Sequence, residues 1–312
     1  MNVLVTGGTG FIGRNLLEAI SKKQWSPYVL VSDYDNIDMV SNVGRISFIS
    51  VKEFLEGNYR TTTNGRIMPT FDCCINLAAA GVSSQETLTN LVEGNFLYTI
   101  KVLEQCKSLG VGKFIHIGSC FEYGQAQKPD LINEENKIDP FSMYGATKAA
   151  ASTLVISYGK VYDMPTVVLR PFGTYGKYEN KNRLLPQLMK SLIKSKPLEM
   201  TSGDQIRDFM NVSDLVDAIL SFAAVTVFEK SAYNVCTSRA LSVKDFALHV
   251  FDILGGDVSL LRFGKIPERS GEPDWIVGDN RELLKALDWI PAVDLEKGIQ
   301  DTFEWFQKEH RG

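Results

Sequence analysis

The first thirteen residues, Met1-Asn-Val-Leu-Val-Thr-Gly-Gly-Thr-Gly-Phe-Ile-Gly13, join an apolar run to three regularly spaced glycines. Val3 to Val5 predicts a strand, Gly7 to Gly13 a tight turn, and Arg14-Asn-Leu-Leu-Glu-Ala-Ile20 a helix starting directly after it. Glycine lets the backbone turn sharply and approach a ligand, and the unpaired N–H groups at a helix start attract negative charge. The unit suits a diphosphate, and the expectation is a dinucleotide held by Gly7, Gly10, Phe11, Ile12 and Gly13. A purely structural glycine turn would carry the same triplet.

The same rhythm continues through the first half. Tyr28–Val31, Ile46–Ile49, Phe71–Ala79, Lys113–Gly118 and Thr166–Arg170 read as strands, with helices over about 84–109 and 142–162. Repeated βα alternation predicts an α/β fold, a Rossmann-type doubly wound parallel sheet covered on both faces. After Arg170 the pattern is broken by Pro171, Pro186 and Pro197, and shorter helices are expected at Leu184–Lys194, Ser213–Phe222, Ser242–Leu254, Asn280–Leu287 and Asp294–Lys308. The expected division is a dinucleotide-binding domain over 1–170, to which some later segments return, and a smaller α/β substrate-binding region over 171–312. A net charge of −4 offers no general attraction to nucleic acid or to an anionic membrane. The five cysteines, 73, 74, 106, 120 and 236, are odd in number and lack framework spacing. They read as reduced thiols of a cytoplasmic protein, and no metal site is expected. The chain starts directly on its first strand, so no signal peptide is expected. No apolar run approaches the ~18 residues of a membrane span.

Tyr144-Gly-Ala-Thr-Lys148 lies in the helix after the fifth strand. Residues four apart share a helical face, so phenol and ammonium point the same way. The lysine charge is expected to draw the phenol from about 10 toward neutrality, which suits proton exchange with a sugar or alcohol oxygen. Ser119 ends the preceding strand at the carboxyl edge, where open α/β sheets bind ligands, and its hydroxyl can bond a reacting oxygen.

Thr6-Gly-x-x-Gly-x-x-Gly13, Asn76-Leu77-Ala78-Ala79, Asn95, Ser119, Tyr144-x-x-x-Lys148 and Arg170-Pro171 follow one another in an order that resembles the extended short-chain dehydrogenase/reductases. The resemblance is to their NAD-dependent epimerase/dehydratase family, which acts on nucleotide sugars, and it covers essentially the whole chain. Gly203-Asp-Gln-Ile-Arg-Asp-Phe209, with Val212–Asp217 after it, and Arg269-Ser-Gly-Glu-Pro273 are similar to the family's substrate segments. The resemblance implies that Ser119, Tyr144 and Lys148 are catalytic. It implies cofactor contacts from the glycine turn, Leu77, Ala78, Ala79, Asn95, Tyr144 and Lys148. It also implies a substrate pocket with Cys120, Phe121 and Arg183, and a diphosphate clamp from Arg207 and Arg269.

Asp33 stands twenty residues after Gly13 at the end of the second strand, where a carboxylate accepts from ribose hydroxyls and repels a 2′-phosphate. This favours NAD(H); Arg14 nearby leaves NADP(H) open. Ser50 replaces the aspartate usual in the family after the third strand. Members that perform 4,6-dehydration carry an Asp-Glu pair after the catalytic hydroxyl, where this chain has Cys120 and Phe121, so that reaction is not expected. Cys120 is either an acid–base group or a small lining residue. Glu122 is displaced from the pair by one place, and Gly173 replaces an asparagine common in epimerases. The pattern is closest to nucleotide-sugar 4-ketoreductases of deoxysugar biosynthesis, many of which prefer NADPH. A 4-epimerase with tightly held NAD is the second expectation, and a non-catalytic NAD-binding regulator the third. The family also implies a homodimer built on helices 84–109 and 142–162, with Ala149-Ala150-Ala151 permitting close packing.

Overall fold

A computed structural model describes residues 1–32, 37–38, 40, 44–58, 68–81, 86–126, 128–268 and 272–309. Its centre is a seven-stranded, all-parallel sheet. The strands are β1 (Asn2–Thr6), β2 (Ser26–Val31), β3 (Ser47–Ser50), β4 (Cys73–Asn76), β5 (Phe114–Ile117), β6 (Thr166–Pro171) and, after four short strands, β11 (Ala232–Val235). Their order is β11-β6-β5-β4-β1-β2-β3. The order reverses at β1, whose neighbours are β2 and β4, and that reversal opens a crevice at the carboxyl ends.

Successive side chains of each strand go to opposite faces, and both faces are buried. Val3, Val5, Val29, Val31, Ile75, Ile115 and Val167 pack beneath α1 (Phe11–Ser21) and α7 (Val212–Ala224). Leu4, Leu30, Cys74, Phe114 and Val168 pack on the other face. That face is covered by α2 (Val51–Leu55), α4 (Tyr98–Ser108) and α5 (Met143–Tyr162). Full burial of each such side chain contributes about 1.5–3 kcal/mol, and a strand buried on both faces needs an unbroken apolar run. That is why Val3–Val5 and Cys73–Ile75 lack polar alternation.

Two helical details differ from the sequence expectation. The helix expected over 84–109 runs as α3 (Leu88–Leu91), a π-helical turn (Val92–Leu97) and α4. α2 was not anticipated; Ser50 caps it, its hydroxyl accepting from Glu53 N at 3.4 Å. Ser50 therefore has a local helix-capping role.

The remaining elements form a second packed region. α6 (Leu184–Lys194), α8 (Val243–Ile253) and α10 (Leu295–Glu309) enclose Leu185, Leu188, Phe246, Val250, Phe251 and Phe306. Short strand pairs stitch it together. β7 (Gly173–Tyr175) joins β10 (Phe209–Asn211), and β8 (Leu198–Glu199) joins β13 (Leu261–Arg262). β9 (Ile206–Arg207) lies between β12 (Leu241–Ser242) and β14 (Trp275–Ile276). The later segments α7 and β11 lie in the layers of the large sheet, and α9 (Arg281–Leu287) packs on β11. No helix among the described residues is long and apolar enough to cross a membrane.

Gly7 shows how tightly the crevice is drawn. Its φ is +67°, and a Cβ there would lie 2.7 Å from Ala78 N and 2.9 Å from Leu77 C. Gly7→Ala should therefore destabilise the fold by about 1–3 kcal/mol. Urea unfolding of the variant checks this, and an unchanged midpoint would refute it.

Candidate active site

Thr6, Asn76 and His116 are register neighbours at the carboxyl ends of β1, β4 and β5. The Thr6 hydroxyl donates to Asn76 Oδ1 at 2.6 Å and accepts from Ala78 N at 3.1 Å. The Asn76 amide nitrogen lies 3.2 Å from Thr99 Oγ1 and 3.0 Å from His116 Nδ1. With the amide donating, the imidazole carries its proton on Nε2, and burial holds its pKa well below the usual range. Thr6 thus fixes the Leu77–Ala79 segment above the strand ends.

Asn95 fixes the next stretch. Its side chain accepts from Ala80 N at 2.7 Å and donates to Ala80 O and Thr147 Oγ1, both at 3.0 Å. It lies in the π-helical turn, a distortion frequent at functional sites. Gly94 beside it admits Ala80; a Cβ there would come within 2.7 Å of Ala80 Cβ. One side chain therefore links the loop after β4 to α5.

The glycine turn faces the same crevice. Gly10 caps α1 in an extended conformation with no side-chain cap, and Phe11 and Ile12 are half-buried at the helix start. A Cβ at Gly10 would meet only Gly7 O, at 3.3 Å, whereas Gly13 is pressed against Gly7 and Gly8. This leaves an open concavity above free helix N–H groups, which fits a diphosphate.

β5 ends into Ser119, which caps the 3₁₀ turn Cys120–Glu122 through Phe121 N at 3.2 Å. α5 is capped by Ser142, which brings Tyr144 and Lys148 under the same edge. Gly145 allows the approach, because a Cβ there would lie 3.0 Å from the Phe121 carbonyl carbon. Ser119, Cys120 and Tyr144 converge, and the Ser119 hydroxyl works to lower the pKa of both the thiol and the phenol. Lys148 is 2% exposed and donates to Ile117 O at 2.5 Å.

The electrostatics correct one expectation. Burial pushes the Tyr144 phenol up to about 12, Cys120 adds to the rise, and the Ser119 hydroxyl and the Arg183 charge oppose it. The lysine that was expected to draw the phenol toward neutrality is itself brought down to about 8 by burial, with Glu122 opposing. Burial likewise pushes the Cys120 thiol up to about 12, with the Arg207 charge opposing. Phe121 meets Phe141 and Tyr144 edge-on, with centroids 5.6 and 6.3 Å apart.

Arg183 begins α6 and pairs with Glu179 at 3.1 Å. Glu179 was not singled out from the sequence; burial raises its carboxyl to about 7. Arg207, on β9, bonds Glu272 at 2.7 Å, and its charge reaches Cys120. Arg14 stacks on Tyr178, 3.7 Å from the ring centroid. Asp33 and Arg269 lie outside the described residues. All five cysteines are buried and free, and no group of three or more potential metal-ligating His, Cys, Asp or Glu occurs among the described residues.

The NAD dependent epimerase/dehydratase family model matches residues 3–236, three quarters of the chain. The chain belongs to this family. It is an enzyme of the short-chain dehydrogenase/reductase type. The CDP-abequose synthase of Salmonella typhimurium is 27% identical over 308 residues, 97% of each chain. The dTDP-glucose 4,6-dehydratase of the same organism is 27% identical over 345 residues, covering 98% of this chain and 92% of its own. The solved UDP-glucuronic acid 4-epimerase of Bacillus cereus, in complex with UDP-glucuronic acid and NAD, shares the fold. Its TM-score is 0.85 at 24% identity, over 99% of this chain and 100% of its own.

The buried Lys148 makes a signed prediction. Its folded pKa of about 8 lies below the ordinary 10.5, so between those values the unfolded chain binds more protons and stability rises with pH. The rise attributable to this residue is at most on the order of 3 kcal/mol. Urea unfolding at pH 8 and pH 10, as in the intervals set by those two values, should show a gain in the parent protein that Lys148→Met reduces; an equal gain in both would refute the assignment.

Proposed function

We propose that this enzyme reduces the C4 ketone of a nucleotide-linked 4-keto-deoxyhexose, as a step in deoxysugar biosynthesis. One observation carries the reading: Cys120 and Phe121 follow Ser119, with the Phe121 ring edge-on to Tyr144, so the wall beside the phenol offers no carboxylate at those two positions. A phenol at this place can give a proton to a ketone oxygen as hydride reaches the carbon. Dehydration across C5 and C6 needs an acid–base pair at the two positions occupied here by Cys120 and Phe121.

The glycine turn with Leu77, Ala78, Ala79 and Asn95 would hold NAD(H), and Lys148 its nicotinamide ribose. The bound cofactor supplies hydride chemistry. Ser119 orients the carbonyl by hydrogen bonding, and Tyr144 protonates the oxygen as negative charge grows on it. Lys148 favours the phenolate that results. Arg207 and Arg269 would clamp the diphosphate with planar guanidinium forks, and Arg183 would lie over the sugar.

The site geometry equally suits a 4-epimerase that keeps its NAD and returns the hydride to the same carbon. The intact Ser119, Tyr144 and Lys148 set favours that second reading, as do its epimerase relatives. The deciding experiment follows NADH and NADPH oxidation with CDP-, dTDP- and GDP-linked 4-keto-deoxysugars. Stoichiometric oxidation supports reduction; none, in protein purified with bound NAD, supports epimerisation. Tyr144→Phe should lower turnover by about 10²–10⁴-fold with little change in melting temperature. Near-normal turnover in that variant would remove Tyr144 from the chemistry.

We further propose a homodimer through the outer face of α5. Ala149, Ala150, Thr153, Leu154, Tyr158 and Val161 form an apolar groove there with Phe96, and Val161 is 72% exposed. Small residues allow close helix approach. Ala150→Glu should shift the protein toward monomer in sedimentation equilibrium, and an unchanged mass would rule this face out.

A further inference from the structure

Glu122 is fully buried at the end of the 3₁₀ turn, one residue beyond the wall formed by Cys120 and Phe121. Its Oε1 accepts from Ser119 N at 2.9 Å and from Ser152 Oγ at 2.7 Å, and its Oε2 accepts from Arg170 Nε at 2.8 Å. Ser152 lies four residues after Lys148 and eight after Tyr144, on one face of α5. Arg170 is tied on to Tyr123 OH at 2.8 Å, which donates to Asn234 Oδ1 at 2.8 Å on β11. One carboxylate therefore joins the backbone of Ser119, the helix that carries Tyr144 and Lys148, and the sixth and eleventh strands. A carboxylate this buried costs several kcal/mol unless every lone pair is used, and here its hydrogen bonds all lead to the site's own supports.

We propose that Glu122 is a positioning residue: it sets the spacing between Ser119 and the Tyr144–Lys148 face of α5 and holds a carboxylate against that same face through Ser152. The proposal rests on the reading of Ser119, Tyr144 and Lys148 as the catalytic set. Burial drives Lys148 down, and the Glu122 charge is what opposes it. The other groups around the lysine do not replace that charge. His116 on β5 is kept neutral by burial. Tyr144 on the same helix and Cys120 on the turn are both held protonated. Arg170 on β6 is the cation paired with Glu122, and with Glu122 neutral it would lose that partner. A buried charge neighbour is worth about one to three pH units.

The test reads Lys148 directly. Carbon-13 NMR of lysine-labelled protein, with the signal assigned by its loss in Lys148→Met, gives the midpoint of the ammonium. Glu122→Gln keeps the shape and should lower that midpoint by about one pH unit or more. The alkaline limb of kcat/KM should move down with it. Ser152→Ala keeps the charge and cuts the tether; it should lower kcat several-fold while KM and the lysine midpoint stay near those of the parent protein. A midpoint unmoved in Glu122→Gln overturns the charge role, and an unchanged kcat in Ser152→Ala overturns the spacing role. If Glu122→Gln does not fold, Ser152→Ala still tests the spacing role. The NMR reading needs no substrate. A protein inactive on every nucleotide sugar, with the midpoint shift intact, would sink the proposed reaction and leave this role standing.

Discussion

A parallel sheet buried on both faces can offer polar atoms to a ligand only at its strand ends. Its interior positions must be apolar, since an unpaired polar group there costs at least 1–3 kcal/mol on average. This chain obeys that constraint closely. Between Val3 and Val5, between Cys73 and Ile75 and between Phe114 and Ile115 nothing polar enters the sheet. At the carboxyl edge Thr6, Asn76, His116 and Arg170 appear together, each buried and each hydrogen-bonded. Buried polar side chains gather along that edge because only there does the fold leave hydrogen-bonding capacity to spend.

Two close approaches then shape the edge into a crevice. Gly7 lets the first turn touch Leu77 and Ala78, and Gly94 with Asn95 draws Ala80 against the helix that follows. The π-helical turn is the local cost of the second approach. It gives up regular i→i−4 bonding so that Asn95 faces inward, to Ala80 and Thr147 together. The loop after β4 is held from both sides, and the half-open space above Gly10 is what remains.

Charge balance at the edge is equally constrained. Lys148 is buried and lowered, Cys120 is buried and raised, the half-buried Tyr144 is raised, and Glu122 and Arg170 form an ion pair with side-chain exposures of 0% and 6%. A buried pair of this kind adds little net stability. Its value lies in direction: Glu122 ties the Ser119 backbone to Ser152 on α5 and to Arg170 on β6.

The order of elements, the parallel sheet and the glycine turn were legible in the sequence, because each rests on local periodicity or on spacing within one element. Strand β11 was not, since Ala232–Val235 is too short to signal against its surroundings and gains its place by pairing with β6. Helix α2 and the π-helical turn also escaped, being decided by a cap and by a contact with Ala80. The protonation of Tyr144 went against the sequence expectation. Sequence spacing puts Lys148 on the right face of α5, but it says nothing of Ile117 O, which takes the ammonium, or of the burial that raises the phenol. Glu122 could be noted as displaced and Arg170 as part of a motif, yet their pairing joins positions 48 residues apart. Sequence by itself determined which chemistry the edge could contain, because local pattern dictates strand, turn and helix. Only the tertiary structure decided which charges meet and how far each is buried, because those depend on residues brought together from distant parts of the chain.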